Sequence, residues 1–155
     1  MNVETTRFGT LEIDEESIIK MPRGMLGFDE YTRYITIQHR ADTAFRWLQC
    51  VDEPALAFVV VDPSMFTTDY DFEISDADAE KLELTGEGDA FVLAVVNISN
   101  GGRDITLNLA APVVVNSKNM KGMQVILQDS RYSIKHPLVK DATSESEMKT
   151  AVKAA

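Results

Sequence analysis

Apolar residues along this chain either alternate with polar ones or gather in short blocks, which is the spacing of β-strands. Residues 3–8 and 11–13 flank Gly9-Thr10 and read as a hairpin turning at those two positions. Residues 17–21 form a third short strand. It stops at Pro22-Arg23-Gly24-Met25-Leu26-Gly27-Phe28, where one Pro and two Gly specify a fixed loop. Residues 31–38 follow, a Thr-rich, β-favouring stretch around Tyr34 and Ile35. In Phe45-Arg46-Trp47-Leu48-Gln49-Cys50-Val51 the alternation puts Phe45, Trp47, Gln49 and Val51 on one face and Cys50 on the other. Asp52-Glu53-Pro54 turns the chain into residues 55–61, a strand buried on both faces that ends at Asp62-Pro63. Residues 90–98 are another continuous apolar strand. Asn100-Gly101-Gly102 then makes a hairpin turn, since Asn and Gly accept the positive φ of tight turns. Ile105, Leu107 and Leu109 alternate with Thr106, Asn108 and Ala110, and Pro112 interrupts pairing before residues 113–115. Residues 122–127 are the last strand.

Two stretches break this rhythm. Ser75-Asp76-Ala77-Asp78 resembles a capping box and starts a short helix running to Leu84. Ser144-Glu145-Ser146-Glu147 repeats the pattern before Met148, Ala151, Val152 and Ala155, which share one helical face. A helix of roughly ten residues with so thin an apolar stripe does not hold alone. Residues 139–155 are therefore expected to be a mobile, flexible or weakly helical tail after a domain spanning residues 1–138. About ten short strands with hairpin turns and one short helix predict a mostly-β fold. The expected form is a compact antiparallel β-barrel-like single domain, with a sandwich as the other way to pack such strands.

Length and charge narrow the function. At 155 residues the chain has the size of one domain and needs no metal or disulfide to hold it together. Its formal net charge is -10, with 25 Asp and Glu against 15 Lys and Arg. Such a body repels phosphate backbones and anionic headgroups, so neither direct nucleic-acid binding nor membrane binding is expected. A basic protein partner is attracted instead, although the same charge also serves solubility. The lone Cys50 excludes an internal disulfide and fits a reducing compartment. The opening residues lack a signal-peptide pattern, and runs such as residues 90–96 are too short to span a bilayer. A cytoplasmic location is expected.

Catalytic chemistry does not assemble from the sequence. His39 and His136 each lack a second ligand at metal-binding spacing and read as surface residues. Cys50 sits in an apolar segment and reads as a structural thiol. Gly86-Glu87-Gly88 and Gly101-Gly102 carry no phosphate-binding fingerprint. Between Asp69 and Asp89 there are nine acidic residues against Lys81 alone. Asp69-Asp71-Glu73 lacks the Gly and distal Glu of a calcium loop. In a strand these three would form one acidic face, either simply solvated or a docking surface for a basic partner.

Several segments together resemble the flagellar assembly factor FliW family. Phe8-Gly9 comes first, followed by Ile18-Ile19-Lys20-Met21-Pro22-Arg23-Gly24-Met25-Leu26-Gly27-Phe28, which is similar to the family's Phe-Pro-x-Gly-x-x-Gly-Phe loop with Met21 in place of Phe. Trp47-Leu48-Gln49, Leu56-Ala57-Phe58, Asp62-Pro63, Phe66 and Asp69-Tyr70 follow in the expected order. Asn108-Leu109-Ala110-Ala111-Pro112 and Gly122-Met123-Gln124-Val125-Ile126-Leu127 are similar to the Asn-Leu-x-Ala-Pro and Gly-x-Gln-x-Ile/Val signatures. The resemblance implies a small β-barrel-like fold, no enzymatic activity, no cofactor and two competing protein partners. One is flagellin, held before export. The other is the carbon storage regulator CsrA, an RNA-binding dimer whose repression of flagellin translation is relieved once it is bound.

On that resemblance, Pro22, Gly24 and Gly27 are expected to fix a loop, and Trp47, Phe58 and Leu107 to fill the core. Gln49, Asp62, Pro63, Phe66, Asp69, Tyr70 and Asn108 are the motif residues that are polar or sit in turns, and they are the candidate partner contacts. Asp71 and Glu73 extend their acidic edge. Phe66 reads both as an interface anchor and as a core plug. Two rivals remain open: a barrel holding a small ligand in its interior, and a hydrolase using two converging carboxylates, one with a raised pKa.

Overall fold

The computed structural model describes residues 1–38, 43–67, 70–85, 89–129 and 131–137. His39, Asp69, the Gly86-Glu87-Gly88 cluster and the second helix expected at 144–155 lie outside these residues.

β1 (Asn2–Thr5) and β2 (Gly9–Glu12) form a separate antiparallel hairpin with Thr5 opposite Gly9. The turn occupies residues 6–8, not the expected Gly9-Thr10. The Thr5 hydroxyl accepts the Phe8 amide proton at 2.8 Å and donates to the Gly9 carbonyl at 2.8 Å, closing the shorter loop. Gly9 then takes φ +69, the left-handed exit position of a three-residue hairpin loop.

The main sheet is built from β3 (Ile19–Lys20), β4 (Arg33–Ile37), β5 (Arg46–Cys50), β6 (Ala57–Val61), β7 (Ala90–Ser99), β9 (Val113–Asn116) and β10 (Gly122–Gln124). Its spatial order is β10-β9-β7-β6-β5-β4-β3, and every pairing along it is antiparallel. β8 (Asp104–Leu107) pairs with the far half of β7, and β11 (His136–Pro137) pairs with β8. β7 is the spine: Ala90–Leu93 face β9, Val96–Ser99 face β8, and Ala94 and Val95 hold β6 on its other edge. The sheet curls into a half-barrel. Its two ends meet where the Lys20 amide donates to the Met120 carbonyl at 2.8 Å and Lys20 bridges in parallel to Lys121.

Several strands are shorter than the apolar pattern alone indicates. Ser17, the first residue of the expected third strand, instead closes a 3-10 turn (Glu15–Ser17), because the Asp14 carboxylate accepts the Glu16 amide at 3.0 Å. The alternation through Leu109 stops at Leu107. There the Asn108 side chain accepts the Ala111 amide at 3.1 Å and turns the chain. β11 was not anticipated. Its Pro137 is tolerated because it lies on an outer strand, where no amide is required.

α1 (Asp76–Lys81) starts as expected, with the Ser75 hydroxyl accepting the Asp78 amide at 3.1 Å. It ends at Leu82, short of Leu84. It is the one α-helix among the described residues.

Continuous apolar runs are explained by burial on both faces of the curled sheet. Val113 and Val115 point into a cluster with Ile19, Met21, Tyr34, Leu48, Cys50 and Val60, whereas Val114 faces Leu82, Met123 and Val125 on the side of α1. Phe45, Val61, Ala94, Val96, Leu107 and Leu109 make a third cluster, and Val3, Ile18 and Ile35 secure the hairpin. The expected core residues Trp47 and Leu107 are buried, and Phe58 is partly so. The interior carries fully buried side chains such as Tyr34, Leu48, Met21 and Met25.

The loop after β3 is the rigid feature that its glycines predicted. Gly24 adopts φ +63, and a Cβ there would lie 2.4 Å from the Phe28 carbonyl oxygen. Gly27 adopts φ +85 in open space.

Candidate functional site

Beyond β6 the chain runs through Tyr70 to Ser75 in an extended but unpaired conformation before entering α1. Tyr70 anchors this segment. Its hydroxyl donates to the Leu109 carbonyl at 2.6 Å, and its ring meets Tyr132 edge-on at 4.8 Å. Burial pushes that hydroxyl well above its ordinary pKa and keeps it a donor. The Asp71 amide in turn donates to the Tyr132 hydroxyl at 2.9 Å, and that hydroxyl donates back to the Asp71 carbonyl.

From this anchor the side chains alternate. Phe72 and Ile74 turn inward onto the cluster of Leu82, Val114, Met123 and Val125, and Asp71 and Glu73 are exposed. The acidic face foreseen for a strand is present at Asp71 and Glu73. It rests on an extended segment, however, because no strand pairs with residues 71–75 among the described residues. Asp69 lies outside the described residues.

Facing it is the chain just beyond β10. The Val125 amide donates to the Pro112 carbonyl at 2.8 Å and the Leu127 amide to the Ala110 carbonyl at 2.8 Å, continuing the β9–β10 ladder. Strand alternation therefore aims the Ile126 and Gln128 amides at the other edge, where neither has a hydrogen-bond partner among the described residues. The Ile126 side chain is 60% exposed. Between the two segments lies a groove of about 520 Å³, rimmed by Asp71, Glu73 and Asp78 on one side and by Ile126, Asp129 and Arg131 on the other. Arg131 binds Asp129 at 2.7 Å and holds its carboxyl below the usual range.

The other expected contacts fall elsewhere. Gln49 is fully buried. Its side-chain amide donates to the carbonyls of Cys50 (3.0 Å), Pro54 (3.1 Å) and Leu56 (3.2 Å), pinning the turn between β5 and β6. Asp62 caps the 3-10 turn Pro63–Met65, accepting the Ser64 amide at 3.0 Å, and Pro63 is buried. Phe66 is half-buried against Phe45, 6.0 Å between ring centres, in the same apolar cluster as Tyr70. Asn108 is the turn lock described above. The structure thus places Asp71 and Glu73 at one groove, with Tyr70 anchoring their segment to Leu109 beside Asn108, and puts Gln49, Asp62 and Pro63 at corners away from it.

Ile126, Asp129, Arg131 and Tyr132 were missed. A signal existed for Ile126: Gln124, Ile126 and Gln128 alternate against Met123, Val125 and Leu127, which leaves an isoleucine on the polar face.

Other chemistry is sparse. Cys50 is buried, and burial pushes its thiol above the ordinary range, away from reactivity. The perturbed carboxylates Asp52, Glu83 and Asp129 are lowered by Arg33, Lys121 and Arg131, opposite to the raised acid of a hydrolytic pair. No group of three or more potential metal ligands occurs among the described residues. No helix among them is long and apolar enough to cross a membrane.

Comparison with known proteins supplies the family. The model of the FliW protein family matches residues 2–138. This chain belongs to the FliW family. It is 42% identical over 142 residues to the flagellar assembly factor FliW of Alkaliphilus metalliredigens, covering 91% of this chain and 88% of that protein. The FliW of Leptospira biflexa is 34% identical over 150 residues, covering 96% and 98% respectively. A crystal structure of the flagellar assembly factor FliW superposes with a TM-score of 0.83 at 33% identity, covering 92% of this chain and 99% of that one. The family is one of flagellar assembly factors, not of enzymes.

Proposed function

We propose that this chain is a cytoplasmic, non-catalytic assembly factor that works by exchanging protein partners. It holds flagellin before export. When flagellin is depleted it binds CsrA and relieves the repression of flagellin translation. The observation that carries this reading is the preformed groove rimmed by Asp71, Glu73 and Asp78, on a chain whose family is that of flagellar assembly factors. A net charge of -10 favours encounter with a basic, RNA-binding regulator and disfavours direct competition for RNA.

Isothermal titration against purified flagellin and, separately, purified CsrA from the same organism tests it. Saturable binding to each is expected, with flagellin pre-loading abolishing CsrA binding. Binding to neither overturns the proposal, and simultaneous binding of both overturns the exchange.

A further inference from the structure

We infer that the groove between residues 71–75 and 125–129 is a strand-addition site, which takes an extended peptide segment with basic side chains at alternate positions onto the 125–129 edge. The inference deepens the partner-exchange reading and rests on it only for the identity of the partner.

The backbone makes the first argument. Edge strands are templates for further pairing, and proteins ordinarily blunt them with Lys, Pro, a bulge or a covering element. Val125-Ile126-Leu127-Gln128-Asp129 contains neither Lys nor Pro. Its inner amides are spent on Pro112 and Ala110, and the outward amides of Ile126 and Gln128 are unpartnered among the described residues. An incoming strand satisfies those groups by the same ladder geometry that joins β9 to β10.

Charge on the facing wall specifies the occupant. Asp71 and Glu73 lie two residues apart on one exposed side, a spacing of roughly 7 Å in extended chain. That is also the spacing of like-facing side chains in a bound strand, so cations at alternate positions meet both carboxylates. Phe72, Ile74, Val125 and Leu127 supply apolar walls for the intervening residues. Tyr70 and Tyr132 hold the acidic wall in place beforehand, which lowers the ordering cost of docking. A second copy of this acidic chain carries the wrong charge to be the occupant.

The probe is a capped peptide of about ten residues alternating valine and lysine, titrated into the full-length chain by calorimetry and by amide NMR. Saturable binding is expected, with the largest amide shifts at Ile126 and Gln128. Affinity should fall at least about tenfold when salt is raised from about 0.05 to about 0.5 M. Ile126→Pro deletes one outward amide without removing an internal hydrogen bond and is expected to weaken binding at least about tenfold. Ile126→Ala keeps the amide and should stay within about threefold of wild type. Should Ile126→Pro not fold, the same peptide N-methylated at alternate residues replaces it, and loss of binding in one of the two methylation registers is expected.

No peptide binding, shifts confined to other faces, or equal binding by Ile126→Pro or by both N-methylated peptides overturns the site. Concentration-dependent self-association of the wild type that Ile126→Pro dissolves assigns the edge to a second copy and overturns the peptide assignment. If flagellin and CsrA bind Ile126→Pro as they bind wild type, the strand-addition site falls and the partner reading stands. If the peptide binds but neither protein does, the site stands and the partner reading falls.

Discussion

Gln124 accepts the amide proton of Leu26, 98 positions away, at 2.9 Å and donates its own side-chain amide to the Ala111 carbonyl at 3.0 Å, joining the Met25–Phe28 loop to the entry of β9. One side chain thereby satisfies backbone groups from two distant segments. Gln124→Ala leaves both unpaired and is expected to cost about 1–3 kcal/mol of unfolding free energy. Denaturant unfolding measures this. A change below about 0.5 kcal/mol would show that the loop is held by its own geometry.

That geometry has its own test in two glycines of one loop. Gly24→Ala meets both a positive φ and backbone atoms of residues 28, 29 and 31 at 2.9 Å or less. Gly27→Ala meets only its positive φ. The expected costs are about 1 kcal/mol at Gly27 and at least about 2–3 kcal/mol at Gly24. Reversal of this order in chemical denaturation would contradict the packing of the loop described above.

Gln49 separates fold from contact. Gln49→Leu removes the donor that pins residues 50–56 and leaves the Pro54 carbonyl to the Thr6 amide alone and the Leu56 carbonyl to the Cys50 amide alone. A loss of about 0.5–1.5 kcal/mol is expected, with partner affinity unchanged at temperatures where the variant stays folded. A selective loss of affinity in the fully folded variant would identify Gln49 as a contact.

Asp52 and Arg33 give a pH dependence of known sign. The Arg33 guanidinium, with its Nε 3.0 Å from Asp52 Oδ2, lowers the folded-state pKa of Asp52. A lowered pKa contributes stability that is present above the unfolded value near 3.8 and is lost as pH falls through the folded value. Both side chains are more than 40% exposed, so solvent screening limits the contribution to about 0.2–1 kcal/mol. Arg33→Gln is expected to be less stable than wild type at neutral pH and to converge with it once pH falls below the lowered folded-state pKa of Asp52. A gap that persists in acid would assign the effect of Arg33 to packing instead.

Asp71 and Glu73 rim the groove as exposed carboxylates, and their charge is expected to act on association. Asp71→Asn with Glu73→Gln should slow binding of CsrA several-fold at low salt, flatten its salt dependence and leave dissociation nearly unchanged. Stopped-flow association rates measure this, and unaltered rates would remove the rim from the encounter surface.

Local rules made much of this protein legible in its sequence. The alternation and apolar blocks located β4 to β7 and β9 because strand burial repeats with the pleat, and Ser75 announced α1 because a hydroxyl satisfies an exposed first-turn amide. The Gly24 loop was readable because a positive φ leaves few residues to choose from. Tertiary structure decided the rest. That Gln49 reaches the carbonyls of residues 50–56 depended on how the turn at residues 51–56 folded back over it. Asp71 and Glu73 were acidic in sequence but became a groove wall only when Tyr132, sixty-one positions away, tied the Asp71 backbone down. Ile126 was one apolar residue among several until pairing with residues 110–112 left its edge open. Periodicity reports which side of a strand is apolar. Which edge of that strand stays unpaired is set only by where distant segments come to lie.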